Sequence, residues 1–89
     1  MRILHLTLIR KWFDAIASGK KKREYRTIKP YWMKRLWQRE YDEIWFRNGY
    51  SKGMPFMRVK WKGVTTEQFE GKTHYAIILG KILEIKNYP

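Results

Sequence analysis

The period of the apolar residues changes along this chain, and that change limits the folds open to it. Lys11–Ser18 and Pro30–Trp37 repeat at helical spacing, whereas Leu4–Leu8 and Phe56–Lys62 alternate at spacing two and Tyr75–Leu79 is continuously apolar. Helices fall early and strands gather late, so an α+β fold is expected, in the order β-α-β-α-β-β-β-β. Eighty-nine residues suit one small domain, 1–89, because a chain of this size buries only about 60–65% of its unfolded surface. A strongly curved sheet of about six strands that closes partly into a barrel, with two short helices, would leave the fewest exposed edges.

In the first strand Leu4, Leu6 and Leu8 share a face and His5 points away from them, as a half-exposed structural residue. Trp12, Phe13, Ile16 and Ala17 form the stripe of the first helix, and Gly19 supplies its stop. Pro30 opens the second helix, whose stripe is Trp32, Met33, Leu36 and Trp37. Both aromatic stripes are expected in the core.

Glu43–Arg47 is a β-prone run, and Asn48-Gly49 after it marks a reversal. In Phe56–Lys62 the apolar Met57, Val59 and Trp61 oppose Arg58, Lys60 and Lys62. Gly63–Thr73 is polar and is expected to be a loop, and Gly80-Lys81 to break the last apolar run before a final strand at Ile82–Ile85.

Between the first helix and the second lies the stretch with the most chemistry, Gly19-Lys20-Lys21-Lys22-Arg23-Glu24-Tyr25-Arg26, in which one carboxylate stands among cations. As a strand it would send Lys22, Glu24 and Arg26 to one face and Arg23 and Tyr25 to the other. Tyr25 is then expected to anchor the strand to the core, while Lys21, Glu24 and Arg26 face a cleft.

Twenty Lys and Arg against eight Asp and Glu leave a net charge of +12, a field that attracts polyanions. RNA or a nucleotide is the expected partner, with Lys22, Arg58, Lys60 and Lys62 as a basic stripe along it. Tyr31, Tyr50 and Trp45 are the aromatics free to stack on bases, and Tyr50-Ser51 would reach the cleft mouth.

The chain has no cysteine, which excludes thiolate nucleophiles, disulfides and Cys-based zinc sites. His5 and His74 stand alone, so neither a metal nor another cofactor is expected. No membrane association is expected and the cytoplasm is the simplest location, since no apolar run suits a signal peptide or a membrane span.

The chain resembles ASCH-domain proteins, which have a PUA-like β-barrel related to RNA-modification and RNA-binding domains. The resemblance is carried by the pattern G-x-K-x-x-E-x-R, met by Gly19, Lys21, Glu24 and Arg26. Phe13-Asp14-Ala15-Ile16, Asn48-Gly49-Tyr50 and Tyr75–Gly80 are similar to the family as well. The resemblance implies a cleft between barrel and helices where Lys21, Glu24 and Arg26, with Tyr50 and Ser51 nearby, hold RNA or a nucleoside-like ligand.

One branch of the family resembles amidohydrolases acting on N4-acetylcytidine through a lysine, a threonine and a glutamate. Lys21 occupies the lysine position, but Glu24 stands at the threonine position, and Glu67 or Glu70 would be the distal glutamate. If the chain is an enzyme of that kind, or one that cuts RNA, Lys21 and Glu24 are the catalytic candidates. A third expectation is a basic protein-interaction or inhibitor module, in which Arg58, Lys60 and Lys62 would matter more than Glu24.

Overall fold

The computed structural model describes residues 1–88. Strand β1 (Ile3–Thr7) leads to helix α1 (Arg10–Ala17), strand β2 (Arg23–Thr27), helix α2 (Pro30–Leu36) and strands β3 (Glu43–Arg47), β4 (Phe56–Phe69) and β5 (Lys72–Lys86). The five strands form one mixed sheet in the order β1-β3-β4-β5-β2, with only β1 and β3 parallel. The fold is thus α+β, as the periodicities indicated.

The cross-strand register defines one inner face. Leu4 lies opposite Ile44 and Leu6 opposite Phe46; Ile44 then meets Val59, and Phe46 meets Met57. All six are buried, and Phe13 and Ile16 of α1 and Leu36 of α2 belong to the same cluster. The helices therefore contribute their apolar stripes to the inner face, which is the burial that holds such short helices in water. In α1 the chain leaves the helix through Gly19 at φ +81°, a conformation that glycine adopts without a Cβ penalty. Pro30 begins α2, where its missing N–H costs no hydrogen bond.

Four sequence expectations need correction. There are five strands rather than about six, because the runs at Tyr75–Leu79 and Ile82–Ile85 are one strand, β5. Gly63–Thr73 is not a loop but the outer half of the β4–β5 hairpin, in which Glu67 pairs with His74 and Phe69 with Lys72. That arm is polar because much of it is exposed, and its reversal is the pair Glu70 and Gly71, at φ +52° and +78°. The sheet does not close by hydrogen bonding, since β1 and β2 remain its two edges. Finally, the stripe of α2 is narrower than expected: Leu36 is fully buried and Trp32 partly so, but Met33 and Trp37 are exposed.

Gly80 does not interrupt β5. A Cβ there would lie 2.8 Å from Lys62 Cγ and 3.0 Å from the Lys60 carbonyl oxygen, so the residue permits close approach of β4 where the register shifts. Gly80→Ala should destabilise the protein by about 1–3 kcal/mol through overpacking. A denaturant midpoint equal to that of the parent would show that β4 yields freely at this point.

Candidate ligand-binding cleft

The inner face changes character at the β2 edge. Glu24 is opposite Ile77 and Arg26 opposite Tyr75, so both side chains point to the side where β5 presents core residues. Glu24 is 5% exposed. Its Oε2 lies 2.9 Å from Arg26 Nη2 and its Oε1 lies 3.3 Å from Lys21 Nζ, so one buried carboxylate is shared by two cations. Sharing of this kind offsets the cost of burying the charge.

The two cations are fixed by aromatic faces. Lys21 Nζ is 4.6 Å from the centroid of the Trp12 ring and 5.5 Å from that of Tyr25. The Arg26 guanidinium lies 4.8 Å from the centroid of Trp32. Arg26 Nη2 also donates to the Thr7 carbonyl oxygen at 3.5 Å, which links β2 to the end of the other edge strand. Two hydrogen-bonding atoms remain without partners, Glu24 Oε1 and Arg26 Nε. Oε1 lies 3.3 Å from the Lys21 ammonium but accepts no hydrogen bond from it.

A cavity of about 370 Å³ opens beside the β2 edge, with Trp12, Glu24, Arg26 and Trp32 in its lining, Thr7–Ile9 along its far side, and Tyr25, Phe69 and His74 where it passes over the edge of β2. Lys21, Glu24 and Arg26 come together through the shared carboxylate, as the sequence pattern implied, with Lys21 just outside the cavity lining. Trp12 and Trp32, expected in the core, pack against it but remain half-exposed and form walls of the cleft. The available signal was position and size: each is a tryptophan at the first position of its helical stripe, and such a ring fits more easily at a core's border than at its centre.

Tyr25 is not core-directed. It shares the outer face with His74 and stacks on Phe69, with ring centroids 4.2 Å apart and planes 7° from parallel. Its hydroxyl donates to Glu67 Oε1 at 3.2 Å, and Arg23 Nε donates to Glu67 Oε2 at 3.0 Å. Burial, and then the Glu67 hydrogen bond, push the Tyr25 phenol up. Glu67 is therefore engaged on the outer face, and Glu70 sits in the hairpin turn, so neither joins Lys21 and Glu24. The strand parity was right, but the charged side faces inward.

Tyr50 and Ser51 do not reach this cleft. They line a different cavity with Trp45 and Arg58, on the outer face of the sheet. Tyr31 does not line the cavity either: its ring meets Trp32 edge-on, 4.8 Å between centroids, and carries the Arg35 guanidinium 3.6 Å from its own centroid. Asn48 does begin a reversal, though over the whole of 48–55; its side chain donates to the Leu8 carbonyl oxygen at 3.0 Å.

The basic stripe is also divided. Arg58 is not free for phosphate, because Nε and Nη2 donate to Glu43 at 2.8 and 3.0 Å and Nη1 donates to Glu84 at 3.1 Å. Lys60 and Lys62 are exposed on β4, and Lys22 is exposed just ahead of β2.

The Glu43 carboxyl is pulled from 4.5 to about 2, first by its hydrogen bonds from Arg58 and then by the Trp45 indole. Because the folded value lies below the unfolded one, Glu43 contributes stability above about pH 4.5 that is lost as pH falls toward 2. Glu43→Gln should flatten the loss of stability across that window, as followed by denaturation at several pH values. An unchanged pH dependence would contradict this account of the pair.

Among the described residues no helix is long and apolar enough to cross a membrane. No group of three or more His, Cys, Asp or Glu among them could hold a metal ion. Compared with family models, curated proteins and solved structures, the chain gives no match.

Proposed function

We propose that the protein is a binding module that takes a nucleobase of RNA, or a free nucleotide, into the cleft beside the β2 edge. The observation that carries this reading is the buried Glu24 carboxylate held between Lys21 and Arg26 and flanked by two indoles. Trp12 and Trp32 offer ring faces to a base, and aromatic walls are the common means of holding an unpaired one. Arg26 presents a planar fork to base or phosphate oxygens.

Glu24 accepts from an exocyclic amine, and the amine takes the place that the Lys21 ammonium now holds. Lys21 then turns its ammonium to the phosphate. The likeness to ASCH domains at Gly19, Lys21, Glu24 and Arg26 agrees with such a ligand. The net charge of +12 adds attraction at long range.

Lys21 lies in an ion pair and against two aromatic rings, which suits a cation that contacts phosphate better than a base that removes a proton. For that reason binding is favoured over hydrolysis. Incubation with N4-acetylcytidine is expected to leave it intact, and release of cytidine would reassign Lys21 and Glu24 to catalysis.

Titration of tryptophan fluorescence with nucleoside monophosphates tests the binding itself. Cytidine, guanosine and adenosine monophosphates should quench at concentrations about tenfold or more below that of uridine monophosphate, which has no exocyclic amine for Glu24. Equal affinities for all four would overturn the role of Glu24.

A further inference from the structure

A second cavity, of about 700 Å³, lies on the outer face of the sheet, beside Trp45 and Arg58. Its floor is Trp45 of β3 and Phe56 of β4, and its rim is the loop 48–55. The floor is a fixed surface. Trp45 Nε1 donates to Glu43 Oε1 at 2.9 Å, and the ring meets His5 and Phe56 edge-on, with centroids 5.5 and 5.4 Å away. The indole is therefore positioned before any ligand arrives.

The rim supplies charge and a further ring. Arg47 lies 5.1 Å from the Phe56 centroid and contacts His5 Nδ1 at 3.1 Å. Neither Arg47 nor Lys52 has a carboxylate within ion-pair distance among the described residues, whereas Arg58 has two. The loop is tied down at its base, since Asn48 N donates to the Pro55 carbonyl oxygen at 3.0 Å. At its tip Tyr50 stands 91% exposed, a large ring in water beside two unpaired cations.

We propose that this outer face is a second binding site, for a short segment of single-stranded nucleic acid. Bases stack on Tyr50 and on the Trp45–Phe56 floor, and phosphates meet Arg47 and Lys52. Stacking of this kind tolerates any base, because every base has a π-face, while the cations follow the backbone. Complementarity of charge favours a polyanion: Arg58 and Lys86 are matched by Glu43 and Glu84, which leaves Arg47 and Lys52 as the excess positive charge of the lining. A basic partner would be repelled here. The site does not rest on the reading of the cleft, since the two cavities share no lining residue.

Fluorescence anisotropy of a labelled oligouridylate about ten nucleotides long tests the proposal, because uracil offers no exocyclic amine to Glu24 and so disfavours the cleft relative to the outer face. Tyr50→Ala should weaken binding about tenfold. Lys52→Ala and Arg47→Ala should each flatten the dependence of log affinity on log salt by about 0.7.

Tyr50 and Lys52 are exposed, so their variants should keep the parent circular dichroism and thermal midpoint. A Tyr50→Ala/Lys52→Ala double variant that binds as tightly as the parent would overturn the proposal and leave the face to an acidic protein. Binding that is lost with Glu24→Gln but not with Tyr50→Ala would place the strand in the cleft, and overturn it equally.

Discussion

Glu24→Ala should lower the stability of the fold by about 3–5 kcal/mol, the range found when one partner of a buried ion pair is removed. The side chain is 7% exposed, and those of Lys21 and Arg26 are 15% and 17% exposed, so the change would leave two nearly buried cations facing each other with no anion between them. Glu24→Gln should be milder, since it keeps the shape and one carbonyl acceptor while removing the charge. Chemical denaturation of the three proteins measures the difference. A loss below about 1 kcal/mol for alanine would mean that the trio behaves as an exposed pair does, and that the cleft is wetter than its burial indicates.

The same two variants separate structure from recognition. If Glu24 only neutralises its neighbours, affinity for nucleotides should follow stability and recover at lower temperature. If it accepts from a base, Glu24→Gln should bind cytidine monophosphate about tenfold more weakly even where the protein is fully folded. Coupled effects of Lys21, Glu24 and Arg26 are expected not to add, because the three share one charge network.

Phe13→Ala should cost about 3–5 kcal/mol as well, through lost burial and the cavity left behind. Phe13 is fully buried, and in α1 it is accompanied inward by Ile16. Its ring also meets Tyr88, 5.4 Å away between centroids, whose hydroxyl donates to Asp14 at 2.7 Å. One residue therefore joins α1 to the sheet and to the end of β5. Because Trp12 is its neighbour, loosening α1 should also blur the cleft wall. The expected result is a lower denaturant midpoint together with weaker nucleotide quenching. A normal midpoint would indicate that the surrounding side chains collapse into the space.

The elements most legible in the sequence were those whose hydrophobic period matched their burial. Leu4, Leu6 and Leu8 gave away the inner side of β1, and Met57, Val59 and Trp61 that of β4, because a strand with one wet face must alternate. Where both faces are wet the signal disappears: Thr65–Phe69 continue β4 past the core, so nothing in their polarity separates them from a loop. Gly80 misled for a related reason. A glycine marks a break and a close approach alike, and only the position of Lys62 on the neighbouring strand distinguishes them.

By itself the sequence determined the fold class, the two helices with their stop at Gly19 and start at Pro30, and the grouping of Lys21, Glu24 and Arg26. These depend on spacings of a few residues, which local geometry converts into a shared face. Only the tertiary structure decided that Glu24 rather than Tyr25 points inward, that Trp12 and Trp32 wall its cleft, and that Tyr50 and Arg58 belong to another face. Parity along a strand assigns residues to two sides but does not say which side is covered; pairing of β2 with β5 and packing of both helices on the inner face decide that.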